Sequence, residues 1–447
     1  MNVVVIVADS LRQDHLGCYG NSWIKTPHLD RFASESLVCE HYYPENLPTG
    51  PTRTSWWTGR YGFTWRHWTP LTPDDVLLPE MLWDRGVRSA LITDVYHMHT
   101  PGAGYGRGFD EVIYIRGQEY DKHVVDAAVD LSRSPHHYLP EGKPGYDLNA
   151  WRAHFEQYLR NRTRIHGEET TYVAQTITHA MGWLDRQSAR DRLFLWVDCF
   201  DPHEPWDPPE PYWSMYKDPN YRGRELPDPV PGRVGEVITE EELVRTRQLY
   251  AGEVTLVDAW VGKLLDKMRN VGLFENSLIM FTSDHGEPFG EHGIVRKARP
   301  WLHEELVRVP LIVHLPDGSR AAERTGAILH APDLTATVVE AFGGPIPEGV
   351  QGKSWWPVFR GEAAEHHRYT CTGWRSPRGA EEWSIRDRRW SLLLPFTQRP
   401  GDPARGVQLY DRAQDPAERR NVYSEHPDVA AALELELYRF ATKVGTR

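Results

Sequence analysis

Residues 48–53 read Pro48-Thr49-Gly50-Pro51-Thr52-Arg53, inside the stretch NLPTGPTRTSWWTGRY at 46–61. A hydroxyl residue stands just ahead of a Pro that can start a helix, and an arginine follows a helical turn later. This suits a nucleophile held at a helix N-terminus, where free N–H groups and the backbone dipole favour an anion. It equally suits a Thr that only N-caps a helix running from Pro51 to Thr58 and closed by Gly59. The remainder of the chain has to separate the two.

The chain has 447 residues, 40% hydrophobic and 26% charged, with a formal net charge of -12. These values fit an ordinary globular protein built on one large α/β unit with a smaller C-terminal one. The acidic balance and the lack of a long basic run argue against binding to nucleic-acid duplexes. An anionic substrate then needs local positive charge from metal, Arg or Lys. Cys18, Cys39, Cys199 and Cys371 show neither CxxC nor zinc-ligand spacing, so no disulfide framework is expected. The opening MNVVVIVADS reads as a buried strand and not as a signal peptide, which gives a cytoplasmic expectation. No apolar run is long enough to cross a membrane. Of the 18 Trp residues, Trp56, Trp57, Trp206 and Trp301 lie near the segments of interest, where they either line a pocket or bury area.

Strands are expected at 2–8, 89–93, 193–197, 277–282 and 309–314. Helices are expected from Thr26-Pro27, at 78–84, 121–132, 169–187, 240–270 (broken or bent near Gly252) and 333–341. Residues 134–167 read as an irregular insertion able to lid a site, and 205–235 as a long surface loop. Strands alternating with helices imply a mostly parallel sheet covered on both faces. The catalytic domain is placed at 1–365. From about His366, residues 384–394 and 407–410 suggest a small antiparallel sheet, followed by an amphipathic helix at 427–442.

Several strands end in acidic or histidine residues: Asp9, the Asp198/Asp201/His203 group, and Asp284-His285. Strand ends of a parallel sheet converge on one edge, where such folds bind ligands. Asp9, Asp284 and His285, with Thr49 as a further oxygen ligand, are suited to one divalent cation. Such a cation would lower the pKa of the Thr49 hydroxyl. Arg53 would hold substrate oxyanions and orient the side chain, while His203 and Lys297 would add positive charge on the leaving-group side. Each has a plainer reading: a helix cap at Asp284, a loop histidine at His203, a solvated lysine at Lys297.

The chain resembles the sulfatase branch of the alkaline phosphatase superfamily nearly end to end. The resemblance rests on DSLRQDHLGCYGN (9–21), TPHLDRFASES (26–36), TGPTRTSWWTGRY (49–61), FDPHEPW (200–206), YAGEVTLVDAWVG (250–262), FTSDHGEPFGEHG (281–293), EELVRVPLIV (304–313) and QLYDRAQDPAERRNV (408–422). It implies a metal-dependent hydrolase of a small anionic ester. Thr49 stands where sulfatases carry the Cys or Ser that becomes formylglycine, and oxidation of a threonine gives a ketone. Related phosphodiesterases and phosphonate hydrolases use Thr as the nucleophile. Ser10 stands where sulfatases have a further metal-binding Asp, and His285 where many have Asn, which favours Mn2+ or Zn2+ over Ca2+. Only His97 remains of the family's Lys-x-His pair. A second metal would draw on Asp198 or Asp201, His203 and His303, whereas Lys297 resembles the lysine that replaces that metal. The expected activity is hydrolysis of phosphodiesters or phosphonate monoesters. The alternatives are sulfate-ester hydrolysis without formylglycine and a noncatalytic anion- or sugar-binding protein. A homo-oligomer is possible.

Overall fold

A computed structural model describes residues 1–133, 147–297, 301–376, 379–398 and 405–445. Its strands are β1 Asn2–Ala8, β2 Leu37–Tyr43, β3 Arg88–Thr93, β4 Glu111–Tyr114, β5 Leu193–Cys199, β6 Gly232–Arg233, β7 Ser277–Thr282, β8 Ile294–Val295, β9 Val309–His314, β10 Arg324–His330, β11 Thr370–Arg375, β12 Glu381–Arg386, β13 Trp390–Thr397 and β14 Gln408–Asp411. The 8-stranded main sheet has the order β10-β2-β9-β7-β1-β5-β3-β4. Within it only β9 runs against its neighbours, β2 and β7.

Alternation along β1 explains why the sheet is covered on both faces. Val4, Ile6 and Ala8 enter a core with the helices Pro27–Ser34, Tyr172–Arg186 and Glu240–Asn270. Val3, Val5 and Val7 enter the opposite core, with Trp56, Trp57, Leu334 and Trp355. Each buried Val, Ile or Leu among these contributes about 1.5–3 kcal/mol by leaving water. The expected mostly parallel α/β sheet is therefore present, and so is the antiparallel C-terminal sheet, ordered β11-β12-β13-β14. That sheet packs on the helix Pro427–Val444 through Ile385, Leu392, Leu433 and Leu437. Among the described residues, no helix is long and apolar enough to cross a membrane.

The register gathers acids. Val7 of β1 pairs with Asp198 of β5 and with Thr282 of β7, and Asp198 also pairs with Thr93 of β3. Asp9, Asp94, Asp198 and Asp284 thus come to the same edge of four adjacent strands.

Other expectations change. Residues 121–132 form no α-helix, only the start of a 3-10 turn at Leu131–Arg133. Their backbone is met instead by side chains of the helix Leu148–Arg162: Asn161 Oδ1 accepts from Val124 N, and Gln157 Nε2 donates to Val124 O. That helix replaces the second half of the expected irregular insertion. Asp147 caps it by accepting from Ala150 N, and Phe155, Tyr158 and Leu159 bury one face. Residues 134–146 lie outside the described residues. The helix expected at 78–84 divides into Leu78–Met81 and a 3-10 turn at Trp83–Arg85. The helix Glu240–Asn270 runs unbroken for 31 residues. Gly252 serves a close approach there: a Cβ at this position would stand 2.5 Å from the Tyr212 carbonyl oxygen, in the loop the helix supports. All four cysteines are free.

Two stability predictions follow from this packing. Helix propensity favours Ala over Gly by about 1 kcal/mol. The backbone clash at Gly252 reverses that sign, so Gly252→Ala is expected to destabilise by about 1–3 kcal/mol in denaturant unfolding; a gain in stability would contradict the packing account. Asp94 accepts from Phe200 N at 2.8 Å and from Gln118 Nε2 at 3.1 Å. Burial, then Asp201, pushes its carboxyl from 3.8 to about 8. A raised acid binds its proton more tightly in the folded state, so its contribution is present below about pH 4 and is lost as pH rises towards 8. The uncharged, isosteric Asp94→Asn should therefore gain stability relative to the native chain between pH 5 and 8. A constant difference across that window would contradict the shift.

Candidate active site

Thr49 is the first residue of the helix Thr49–Thr58, and Pro48 precedes it as N-cap without a side-chain cap. Thr49 therefore does not cap the helix. Its buried hydroxyl lies 3.4 Å from His285 Nε2. Gly50 leaves room for Trp68, whose ring would lie 3.2 Å from a Cβ there.

Asp9 and Ser10 follow β1, and Asp284 and His285 follow β7. Ser10 is left-handed, at φ 62°, a rare backbone for a non-glycine residue. Its environment holds it there. Its N–H donates to Asp284 Oδ1 at 3.0 Å, its hydroxyl to Asp9 Oδ1 at 2.9 Å, and its carbonyl accepts from the Tyr250 hydroxyl at 2.7 Å. Gly286 is equally constrained, since a Cβ would stand 2.0 Å from the Glu305 carbonyl.

His285 Nδ1 meets the Gly286 carbonyl at 2.9 Å. That contact places the ring proton on Nδ1 and leaves the Nε2 lone pair facing the acids, 3.8 Å from Asp9 Oδ1 and 3.5 Å from Asp284 Oδ2. Burial holds His285 at about 4, against the pull of Asp284, so the ring is neutral at pH 7. Burial and Asp284 push Asp9 well above the usual carboxylate range. Asp284 stays well below it despite burial, because His285 and Arg53 favour its charge.

Arg53 is fully buried among carboxylates. It holds Asp198 bidentately, with Nε at 3.0 Å and Nη2 at 2.6 Å, and Asp284 through Nη1 at 2.6 Å. Nη1 also donates to the Thr49 carbonyl at 3.2 Å, and Nη2 lies 3.2 Å from Asp9 Oδ2. Arg53 is thus turned to the protein's own acids and to the Thr49 backbone carbonyl, where the sequence predicts a group that holds substrate oxyanions and orients the Thr49 side chain.

A cation fits this edge. Ligand atoms of Asp9, Asp284 and His285 all lie within 4.8 Å of one another. Asp9 Oδ2 is buried and makes no hydrogen bond. A buried carboxylate cluster facing one guanidinium is short of positive charge, and a neutral imidazole with two carboxylates is a donor set for Mn2+ or Zn2+.

The second-metal residues do not assemble. Asp198 belongs to Arg53. Asp201 accepts from Gln118 Nε2 at 2.9 Å and Val173 N at 3.2 Å. His303 lies 3.3 Å from Glu418 and stacks on His292 at 3.5 Å. Lys297 is placed as a fixed charge: its Nζ donates to Glu204 at 2.9 Å and Glu287 at 3.1 Å. These acids outweigh burial and hold the ammonium above the usual lysine range. His203 stacks on Phe200 at 4.0 Å, and its Nδ1 meets the Glu204 carbonyl at 2.7 Å. Burial lowers it to about 3, so it is neutral and not the positive charge expected of it. His97 Nε2 pairs with Glu119 at 2.8 Å, and its ring meets Trp68 edge-on at 4.9 Å.

Glu204, Glu287 and Glu119 went unread in the sequence, although Glu204 and Glu287 each directly follow a residue already singled out or its neighbour. A cavity of about 50 Å³ opens beside Glu204, lined by Tyr120, Trp151, His154, Phe155 and Arg296 among others. Trp56, Trp57 and Trp206 are core residues instead.

Residues 1–344 match the family described as Sulfatase, and residues 290–443 match N-sulphoglucosamine sulphohydrolase, C-terminal. Among curated relatives, the N-acetylglucosamine-6-O-sulfatase of Bacteroides thetaiotaomicron is 24% identical, covering 95% of this chain and 83% of its own. The arylsulfatase of Clostridium perfringens is 25% identical, covering 86% and 87%. Among solved structures, the phosphonate monoester hydrolase of Agrobacterium radiobacter superposes with a TM-score of 0.75 at 21% identity, covering 99% of this chain and 95% of that one. With the matched family spanning most of the sequence and the fold agreeing over nearly all of it, the chain belongs to the sulfatase family.

Proposed function

We propose that this sulfatase-family hydrolase cleaves phosphodiesters or phosphonate monoesters, with unmodified Thr49 as the nucleophile. The observation that carries the proposal is the Thr49 hydroxyl, 3.4 Å from His285 Nε2 at the start of a helix whose N-terminus meets the acid cluster. Asp9, Asp284 and His285 would hold one Mn2+ or Zn2+, with the Thr49 hydroxyl adjoining. Bound there, the cation supplies Lewis acidity that eases loss of the hydroxyl proton.

The chain's own residues supply the remainder. The helix start orients Thr49 Oγ1 for in-line attack, and Arg53 fixes both the Thr49 carbonyl and the acids. Attack forms an Oγ1–P bond and breaks the P–O bond to the leaving group, and the proton lost from Oγ1 ends on the departing oxygen, which leaves as the alcohol. Water then cleaves the threonine ester and restores the hydroxyl. Lys297 offers positive charge near the departing oxygen, and His203 offers a neutral ring nitrogen. Helix Leu148–Arg162 covers the cavity beside Glu204, where a leaving group has room. A single cation and one lysine give less charge than a monoester dianion calls for, which favours singly charged esters.

A second reading is sulfate-ester hydrolysis by the same unmodified Thr49. It is favoured by the family match and by relatives that are named sulfatases.

Thr49→Ala is expected to lower turnover by roughly 10³-fold or more, the scale on which removing a nucleophile acts. Thr49→Ser should keep far more activity, and equal loss in both would contradict a nucleophilic hydroxyl. Aryl phosphodiester, phenyl phosphonate monoester and aryl sulfate assayed side by side at one metal loading should rank the sulfate last. A dominant sulfate rate would replace the first reading by the second. Chelation should abolish turnover, and Mn2+ or Zn2+ should restore it better than Ca2+.

A further inference from the structure

A second cluster of metal-ligand side chains lies away from the acid edge, where β10 passes into the helix Asp333–Ala341 and the chain later approaches β11. Asp333 is fully buried. His367 Nε2 lies 2.8 Å from its Oδ2 and His366 Nε2 lies 3.2 Å from the same atom. Ligand atoms of Asp333, His366 and His367 all fall within 4.8 Å of one another. The two imidazoles stand nearly perpendicular, with ring centres 4.6 Å apart.

An ordinary polar contact does not account for His366. Its side chain is 7% exposed, and its buried Nε2 makes no hydrogen bond although it points at the carboxylate. The carboxylate at 3.2 Å is an ion-pair contact off hydrogen-bond geometry, which leaves the buried nitrogen only partly satisfied. The site is otherwise rigid. Asp333 accepts from Lys353 N at 2.8 Å, from His330 N at 3.2 Å and from Trp355 Nε1 at 3.2 Å. His367 is tied to β10 by its N–H, which donates to the Ile328 carbonyl at 3.2 Å. His330, though close, is already satisfied: it meets the Tyr61 hydroxyl at 3.2 Å, the Cys371 N–H at 3.2 Å and the Thr370 hydroxyl. It is therefore not a ligand.

We propose that Asp333, His366 and His367 form a zinc site that joins the C-terminal sheet to the main sheet. Two imidazoles and one carboxylate are a Zn2+ donor set, whereas Ca2+ and Mg2+ call for oxygen ligands. Each histidine binds as the neutral ring through Nε2, so the proton that His367 shares with Asp333 leaves or moves to Nδ1 as the metal enters. The cation closes the chain between 333 and 366 and thereby restrains the unfolded state. This site is separate from the one at Thr49 and does not depend on the activity proposed there.

The test is zinc stoichiometry and thermal unfolding of the full chain, stripped by chelator and titrated with Zn2+ alone. His366→Gln removes one ligand and leaves the acid cluster at Asp9 untouched. The native chain should bind one more zinc per chain than His366→Gln, and zinc should raise the native midpoint further than the variant's, with hydrolysis retained. Equal stoichiometry and equal shifts would overturn the proposal and leave Asp333 as a hydrogen-bonding hub. Should the variant fold poorly, crystals of the native chain grown with Zn2+ decide. An anomalous peak at the zinc edge between Asp333, His366 and His367 supports the site, and its absence overturns it.

Discussion

The structure turns on a surplus of buried negative charge at one edge of the sheet. Asp9, Asp198 and Asp284 are all fully buried, and Arg53 is the guanidinium that reaches each of them. Isolated carboxylates cannot be removed from water so completely without compensation. Arg53 compensates in part: it binds Asp198 with two nitrogens and Asp284 with a third. Asp9 keeps the least, and its carboxyl is accordingly driven upward while that of Asp284 is held down. The edge is built to receive a further positive charge, and the left-handed turn at Ser10 sets its N–H on Asp284 and its hydroxyl on Asp9.

That constraint also explains how the chain around the edge is used. The helix Thr49–Thr58 brings Thr49 and Arg53 to the same acids from one segment, so the hydroxyl and the guanidinium are fixed together. The other rim is a second charge network. There Lys297 is held by Glu204 and Glu287, and Arg296 by Glu204 and Asp228. Glu204 thus links the lysine to the aromatic cavity beneath Trp151. On the proposed reading, the reacting group and the leaving group are handled by two separate networks that share no side chain.

Much of the fold was legible because buried strands write themselves as short β-branched runs. β1, β5 and β7 are of that kind, and the acids that end them marked the site. β2, whose LVCEHYY carries a Glu and a His, lacks that pattern and takes its place from its partners β9 and β10. The helix Leu148–Arg162 had a readable signal in the spacing of Phe155, Tyr158 and Leu159, but neighbouring Pro and Gly residues masked it. Site residues on strand ends came together as expected. His303 did not, because the partner that claims it, Glu418, lies 115 residues away in sequence. The neutrality of His203 was equally hidden, since burial is a property of the fold and not of the DPHEP segment.

The central claim is that an unmodified Thr49 carries the reacting group covalently. Mass spectrometry of the peptide spanning Thr49 tests this most directly, on protein quenched in acid during turnover of an aryl phosphodiester. The account predicts an unoxidised threonine in the resting protein and, in the quenched sample, an added phosphoryl ester on Thr49. An oxidised residue 49 at rest, or turnover that leaves Thr49 unlabelled while another side chain carries the group, would contradict it.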